Sequence, residues 1–384
     1  MLVLNDISSP LHAVWTEDDQ ARTAWWPAEN NSALPKRIII ADDTLSADSA
    51  YRLVSQGTSL LWRGDFHNAR QLLQALARRI DKPKKAPRKK ITVTEPLSAF
   101  NQHRLHQSQR TQLLNRLLIE LDANASIALR RAPDVADACR AAIGDIREPF
   151  LLSLRALQGI IGAYEWQKKG VAIPGLGQNL HVHYGVFSPN RGEYIDLIAQ
   201  APLPTKELAF DIGTGSGVLA AVLAQRGVRK VIATDQDPRA LACARENIDS
   251  LGLNLAIELQ DTDLFPAGTS ALIVCNPPWL PAKPTTPIER AIYDPDSRML
   301  LGFLNGLASH LEPNGEGWLI MSDLAEHLGL RSRDFLLQAI ATAGLRVVDR
   351  MDARPKHPKA MDETDPLHAA RSAEVTSLWR LAQA

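Results

Sequence analysis

The chain has 384 residues, of which 45% are hydrophobic and 22% charged, and its 43 Lys/Arg balance 43 Asp/Glu. That length suits two or more globular domains, and no apolar run approaches the roughly 18 residues of a membrane span. Three cysteines (Cys139, Cys243, Cys275) are too few and too scattered for a disulfide framework or a zinc site.

The opening MLVLNDISSPLH lacks the basic and apolar segments of a secretory signal. The expectation is therefore a cytoplasmic protein with no metal and no membrane attachment. Charge is unevenly placed. Residues 1–51 hold three Lys/Arg against eight Asp/Glu, residues 52–150 hold 18 against nine, and residues 151–384 hold 22 against 26. The middle segment is a candidate surface for an acidic partner.

Residues 1–80 read as a small mixed α/β region. Arg37–Ala41 and Ser59–Trp62 are short strand candidates, and Asn68–Ile80 sets Ala69, Leu72, Leu73, Leu76 and Ile80 at helical spacing. A reduced second copy of the C-terminal fold is compatible with this pattern, although no glycine loop accompanies it. Residues 81–165 read as a basic linker and helical region. The linker is Asp81–Lys90, and the helical stretches are Gln107–Leu121, Asp134–Ile143 and Phe150–Ile161. Arg78–Lys90 carries eight Lys/Arg against one Asp. With Gln102, His103, Arg104, His106, Gln107, Arg110 and Arg116, it suits either a solvated linker beside a polar helix face or a track for a phosphate backbone.

Residues 166–384 open with His181–Phe187, which alternates like a strand, and a short helix over Arg191–Ala199. From Lys206 the rhythm is strand, helix, strand. Strand candidates are Leu208–Ile212, Lys230–Thr234, Leu255–Leu259, Ala271–Cys275, Gly317–Met321, Leu345–Arg350 and Val375–Leu381. Helix candidates are Val218–Gln225, Arg239–Leu251, Ser297–Leu311 and Leu330–Ala343. This alternation predicts an α/β fold, a Rossmann-like, seven-stranded, mostly parallel sheet with helices on both faces. The last two strand candidates have no helix candidate between them and are expected to pair antiparallel.

Two segments carry the chemistry. Asp211-Ile-Gly213-Thr214-Gly215-Ser-Gly217 stands where the first strand gives way to a helix. Glycines there let the backbone turn sharply and approach a ligand closely, and the N–H groups of the helix start face a polar group. A tight turn with no ligand is the plainer reading. The next strand ends in Asp235, 18 residues beyond Gly217, where an acid can accept from both hydroxyls of a ribose. Its alternative role is to cap the following helix, but Asp237 is better placed for that, which leaves Asp235 free. After the third strand, Asp263 is placed to accept from an adenine amino group, with Phe265 beside the ring. A nicotinamide dinucleotide is the competing cofactor, although its usual spacing is GxGxxG and this chain has GxGxG.

The fourth strand runs into Asn276-Pro277-Pro278-Trp279. In an amide or aromatic amine the nitrogen lone pair is delocalised, so a site that uses it must hold both N–H bonds with acceptors. The Asn276 side-chain oxygen and the Pro277 carbonyl supply two. The prolines fix the turn and remove a competing donor, and Trp279 offers a flat surface for stacking. The alternative is a proline turn with Trp279 in the core. Cys275 reads as core. His181 and His183, on one face of the supposed strand, are a metal pair without a third ligand. The loop Arg354–Lys359 is either a substrate selector or a flexible charged loop.

At these residues the chain resembles a known family. Residues from about 180 onward look like class I S-adenosylmethionine-dependent methyltransferases with an (N/D)PP(Y/F/W) motif, which methylate exocyclic amines of bases or glutamine side-chain amides. NPPWLP is most similar to the NPPYIP form of the protein glutamine N5-methyltransferases, and Val186–Glu193 resembles the segment those enzymes place over the active site. The resemblance implies S-adenosylmethionine as cofactor. Asp211, Gly213, Thr214, Gly215 and Gly217 would hold its methionine part, Asp235 its ribose and Asp263 its adenine. It implies Asn276, Pro277 and Trp279 as catalytic residues, with Phe187, Pro278 and Tyr293 lining the acceptor. The implied acceptor is a glutamine of a translation protein. Alternatives are a base amine of ribosomal RNA, with the ribosome as partner, and a non-catalytic adaptor that only binds the cofactor. Trp279 in place of tyrosine, Tyr293-Asp-Pro-Asp-Ser297 downstream and the long N-terminal region depart from the family pattern.

Overall fold

The computed structural model describes residues 11–27, 33–82, 95–189, 192–284, 288–355 and 361–384. The chain divides into two units, one of residues 1–92 with 102–165 and one of residues 93–101 with 166–384. The basic run Lys84–Lys90 and the loop residues Lys356–Lys359 lie outside the described residues.

The N-terminal unit holds strands β1 (His12–Glu17), β2 (Gln20–Trp25), β3 (Ile38–Ala41), β4 (Ser59–Trp62), β5 (Leu117–Leu121) and β6 (Phe150–Ser153). They form one sheet in the order β1-β2-β6-β5-β4-β3. Strands β3, β4 and β5 run parallel. Helices α1 (Ala47–Ser55) and α2 (Phe66–Asp81) follow β3 and β4. The β1–β2 hairpin has no counterpart among the elements expected from sequence. Asp18 and Asp19 both take left-handed φ values, 51° and 62°, as a twist-matched two-residue turn requires.

Two helix expectations hold only in part, and for one reason. Helix α3 (Pro96–Leu114) stops before the leucine run, and Leu117, Leu118, Ile119 and Leu121 enter the sheet as β5, each fully buried. Phe150–Ser153 likewise forms β6, buried along its whole length. It passes straight into α5 (Leu154–Lys169), whose entry Ser153 caps by accepting from the Ala156 N–H at 3.0 Å. Strands apolar on both faces carry no period-2 signal, so their leucines mimic a buried helix. With α4 (Ala136–Ile143), these elements complete the N-terminal unit, so residues 102–165 do not stand apart as a helical region.

The C-terminal unit contains a short hairpin, β7 (Val171–Ala172) and β8 (Asn179–Leu180), and then helix α6 (Glu193–Gln200). His181–Phe187 is not a strand. The backbone N–H of His181 donates to the Asn247 side chain at 2.7 Å, and His183 meets Glu246 at 2.8 Å. Val182 and Val186 pack against Cys243. Each side chain is anchored separately, and Gly185 turns the backbone through a φ of 84°.

The main sheet has seven strands: β9 (Leu208–Ile212), β10 (Lys230–Asp235), β11 (Ile257–Asp261), β12 (Ser270–Cys275), β13 (Leu311–Ser322), β14 (Leu345–Ala353) and β15 (Thr376–Gln383). Their order is β11-β10-β9-β12-β13-β15-β14. The first five are parallel, and β15 lies antiparallel between β13 and β14. Helices α7 (Val218–Gln225), α8 (Pro238–Ser250), α9 (Arg298–His310), α10 (Leu324–His327) and α11 (Arg333–Thr342) complete the crossovers. A short helix that the sequence reading omits, α12 (His368–Ala373), precedes β15.

Period-2 alternation on β9 divides the core. Ala209 joins the residues of α6, α7 and α8 on one face, while Phe210 and Ile212 join those of α9 and α11 on the other. Helix α7 is apolar almost all round, with Val218 to Leu223 buried, as a helix sunk into a core must be.

Candidate active site

Strand order reverses between β9 and β12, so their carboxyl ends diverge into a crevice, the usual ligand site of an open α/β sheet. The register puts Asp211 between Ala233 of β10 and Val274 of β12. Asp211, the glycine turn, Asp235, Asp263 and Asn276 therefore all stand at the carboxyl edge of adjacent strands.

The turn takes left-handed φ values at Gly213, Gly215 and Gly217, of 71°, 56° and 80°. A methyl group on Gly213 would strike Met299, whereas one on Gly215 would meet no atom within 4 Å. The turn is closed by its own bonds. Thr214 N–H donates to the Thr234 carbonyl at 2.8 Å, and Gly217 N–H to the Thr214 carbonyl at 2.9 Å.

Asp211 is 1% exposed. Its Oδ2 accepts from the Thr214 hydroxyl at 2.7 Å and from Ala220 N–H at 3.1 Å. Its buried Oδ1 has no protein partner. Burial, with the charge of Asp235 nearby, pushes the carboxyl up to about 6 against those two hydrogen bonds.

Asp235 is not free, contrary to the sequence expectation. It accepts from Gly215 N–H at 3.0 Å and Asp237 N–H at 2.9 Å, so it orders the turn. Burial raises its pKa as well. Asp237 caps α8 as expected, accepting from Arg239 N–H at 2.9 Å.

Asp263 pairs with Arg298 at the start of α9. Phe265 already has ring partners within the protein. Its ring stacks on His310 and Phe303, with centroids 4.4 and 5.8 Å away. It sits in a notch opened by Gly306, where a Cβ would come within 2.5 Å of the Phe265 ring.

At the end of β12, the Trp279 indole N–H donates to the Asn276 side-chain oxygen at 3.0 Å. Trp279 is half-buried and packs against both core clusters. It is thus part wall, part core residue, and it fixes the carboxamide of Asn276. Pro277 is buried and Pro278 half-buried. Phe187 is half-buried on the segment before α6. Tyr293 packs against the cluster that holds Leu280, Phe100 and Leu324, on the loop that returns to bond Leu280. Cys275 is fully buried, and burial raises its thiol pKa well above the usual range. Among the described residues no group of three metal-ligating side chains occurs.

Three further residues shape the site. Glu193, 6% exposed at the start of α6, lies close enough for its charge and that of Asp211 to raise the Tyr194 hydroxyl, after burial itself. Asp294, 4% exposed, accepts from Met299 and Leu300 N–H at 3.0 and 3.1 Å and so anchors α9. Met299 covers Gly213. An acid opening the largely apolar run Glu193-Tyr-Ile-Asp-Leu-Ile-Ala was the available signal for Glu193. Nothing local marks the other two.

Residues 178–338 match the family model of the methyltransferase small domain. That match lies within the C-terminal unit and covers less than half of the chain.

Over 194 residues the chain is 29% identical to a release factor glutamine methyltransferase of Cereibacter sphaeroides, covering 47% of this chain and 68% of that protein. It is 38% identical over 136 residues to the Mycolicibacterium smegmatis protein of the same name, covering 34% of this chain and 48% of that protein. Over 67 residues it is 41% identical to a ribosomal protein L11 methyltransferase of Symbiobacterium thermophilum, covering 17% and 22%. A solved methyltransferase of Pyrococcus furiosus aligns with a TM-score of 0.37 at 18% identity, over 60% of this chain and 99% of that one. The chain thus spans about half the length of the Mycolicibacterium relative and two thirds of the Cereibacter one.

The donor set of the site fits S-adenosylmethionine, the cofactor that the sequence resemblance implies. S-adenosylmethionine carries an ammonium and a sulfonium, and Asp211 and Glu193 are buried carboxylates that both act on the Tyr194 hydroxyl, Asp211 with an unsatisfied oxygen. Gly215 leaves open space above the turn.

Proposed function

We propose that the chain methylates the side-chain amide nitrogen of a glutamine in a translation protein. The observation that carries this reading is the hydrogen bond from the Trp279 indole to Asn276 Oδ1 at the end of β12, beside the glycine turn of β9. When bound, S-adenosylmethionine supplies a methyl carbon already activated by positive sulfur, so the protein's task is positioning. Asp211 and Glu193 bind the ammonium end, Asp235 the ribose and Asp263 the adenine, for which Asp263 must release Arg298. The indole occupies one side of the Asn276 oxygen and leaves its second lone pair for a substrate N–H. The Pro277 carbonyl takes the other N–H, and the amide lone pair is left facing the donor. Trp279 supports the flat amide. The names of the relatives point to release factors and ribosomal protein L11 as the acceptor class.

The test is transfer of labelled methyl from S-adenosylmethionine into a ribosome-plus-factor extract, followed by protease or RNase. Label released by protease and kept after RNase supports a protein acceptor, and the reverse result overturns it in favour of an RNA base. Asn276→Ala should lower transfer about 10²- to 10³-fold, by the loss of one preorganised polar group, with S-adenosylhomocysteine binding retained. Transfer that survives the change removes Asn276 from its role.

A further inference from the structure

Arg331 is 8% exposed and lies just beyond α10. Its backbone is fixed there, since the N–H groups of Leu330 and Arg331 both donate to the Ala325 carbonyl, at 2.8 and 3.3 Å. A buried guanidinium is costly, and the usual compensation is a carboxylate in direct contact. Arg331 instead spends its donors on neutral groups. Nη2 donates to the Trp279 carbonyl at 3.2 Å and touches the Met321 sulfur at 3.1 Å, and Nη1 reaches the Ser297 hydroxyl at 3.5 Å. Burial lowers its pKa, while the charges of Glu326 and Asp294 oppose that shift.

Those three partners belong to three different parts of the site. Trp279 ends the acceptor motif. Ser297 precedes α9, whose first turn sets Met299 on Gly213 and Arg298 on Asp263. Met321 closes β13. Ser297 and its neighbour Asp296 both hold left-handed φ values, 54° and 56°, a strained pair that persists only where surrounding bonds enforce it. The next peptide of the acceptor loop is held as firmly, with Leu280 N–H on the Ile292 carbonyl at 3.1 Å and Asp294 N–H on the Leu280 carbonyl at 2.8 Å.

We propose that Arg331 is a positioning residue for methyl transfer, whose guanidinium fixes the Trp279 peptide and through it the Asn276 carboxamide against the start of α9. This rests on the amide-methylation reading above. A hydrocarbon of similar length would fill the space at lower desolvation cost but would leave the Trp279 carbonyl without its donor and the strained turn without its tether.

The test uses the full chain with Arg331→Met and Arg331→Lys, labelled with 5-fluorotryptophan. The Trp279 signal is assigned by its absence in Trp279→Phe. In Arg331→Met that fluorine resonance should shift or broaden, and in Arg331→Lys it should move less. The value of kcat should fall about 10- to 100-fold in Arg331→Met, as expected for a misplaced reacting group. KM and S-adenosylhomocysteine affinity should stay within about threefold, which separates positioning from ground-state binding. Arg331→Lys should recover part of kcat, and it carries the test if Arg331→Met fails to fold. An unmoved Trp279 resonance in both variants, or cofactor affinity falling as far as kcat, overturns the proposal. If no amide acceptor is found but the resonance still moves, the positioning stands and the substrate reading falls.

Discussion

The two units each carry parallel strands followed by helices, yet they finish their strand ends in opposite ways. In the N-terminal unit the carboxyl ends of β3 and β4 are filled by the protein's own pairs. Asp43 accepts from Asp65 N–H at 3.1 Å and from the Asn68 side chain at 3.0 Å. The wholly buried Asp65 carboxylate accepts from Arg131 at 2.7 Å, Arg130 at 3.2 Å and His67 N–H at 2.8 Å. Gly64 has no room for a side chain, since a Cβ would come within 2.5 Å of Asp43. In the C-terminal unit the corresponding edge holds a glycine turn with open space above it and a buried acid with one oxygen unsatisfied. An acid and a helix start occur at both edges. What separates a structural edge from a binding edge is whether the polar atoms are already matched.

Four substitutions and a change of pH break or sharpen this contrast. The largest effect is expected for Asp211→Asn, which keeps the shape but removes the charge. S-adenosylmethionine affinity by calorimetry should fall about 10- to 100-fold, the worth of a charged hydrogen bond. Next come the two glycines. Gly213→Ala combines a left-handed φ with a collision on Met299 and should cost stability of about 1–3 kcal/mol in chemical denaturation. Gly215→Ala meets nothing in the protein, so it should cost only about 1 kcal/mol of stability while weakening the cofactor at least as much as Gly213→Ala does.

A smaller effect is expected from pH. The folded Asp211 titrates near 6, above its ordinary 3.8, so the proton stabilises the free protein at low pH and that contribution is lost as pH rises through about 6. A cationic ligand favours the ionised acid. Affinity should therefore rise between about pH 5 and 7, by at most about tenfold per unit. Asp211→Asn should remove most of the slope, with a remainder from Asp235, which burial also raises. The smallest effect on the cofactor belongs to Asp65→Ala. It should lower the melting temperature by removing the cap of α2, yet leave S-adenosylmethionine affinity unchanged. A large loss of affinity would show that the filled edge also serves the site.

Much of the C-terminal unit was legible because its signals are local. The helix Val218–Gln225 follows from an apolar run after glycines, and the cap at Asp237 from position alone. The N-terminal unit was harder to read because β5 and β6 are buried on both faces, so their leucines carry no alternation. His181–Phe187 misled in the other direction. Its alternation reflects separate anchors on Asn247, Glu246 and Cys243, from a helix some 60 residues away in sequence. At the site, sequence marked the strand-end residues but not Arg331, Asp294 or Met299. These act through contacts that no spacing rule encodes. The engagement of Asp235 with Gly215, and of Phe265 with His310, was hidden for the same reason.

Helix α9 has a consequence for how the two substrates sense each other. Gly302 and Gly306 are notches that seat Leu264 and Phe265 from the loop carrying Asp263, while the first turn of the same helix reaches Asp263 through Arg298 and Gly213 through Met299. The residues just before that turn return to Leu280, next to the indole. A single helix thus touches, directly or through the residues before it, both the glycine turn and the loop of Trp279. On the proposed reading these face the donor and the acceptor, so a tilt of the helix is felt by both and occupancy of one alters affinity for the other by a reciprocal factor.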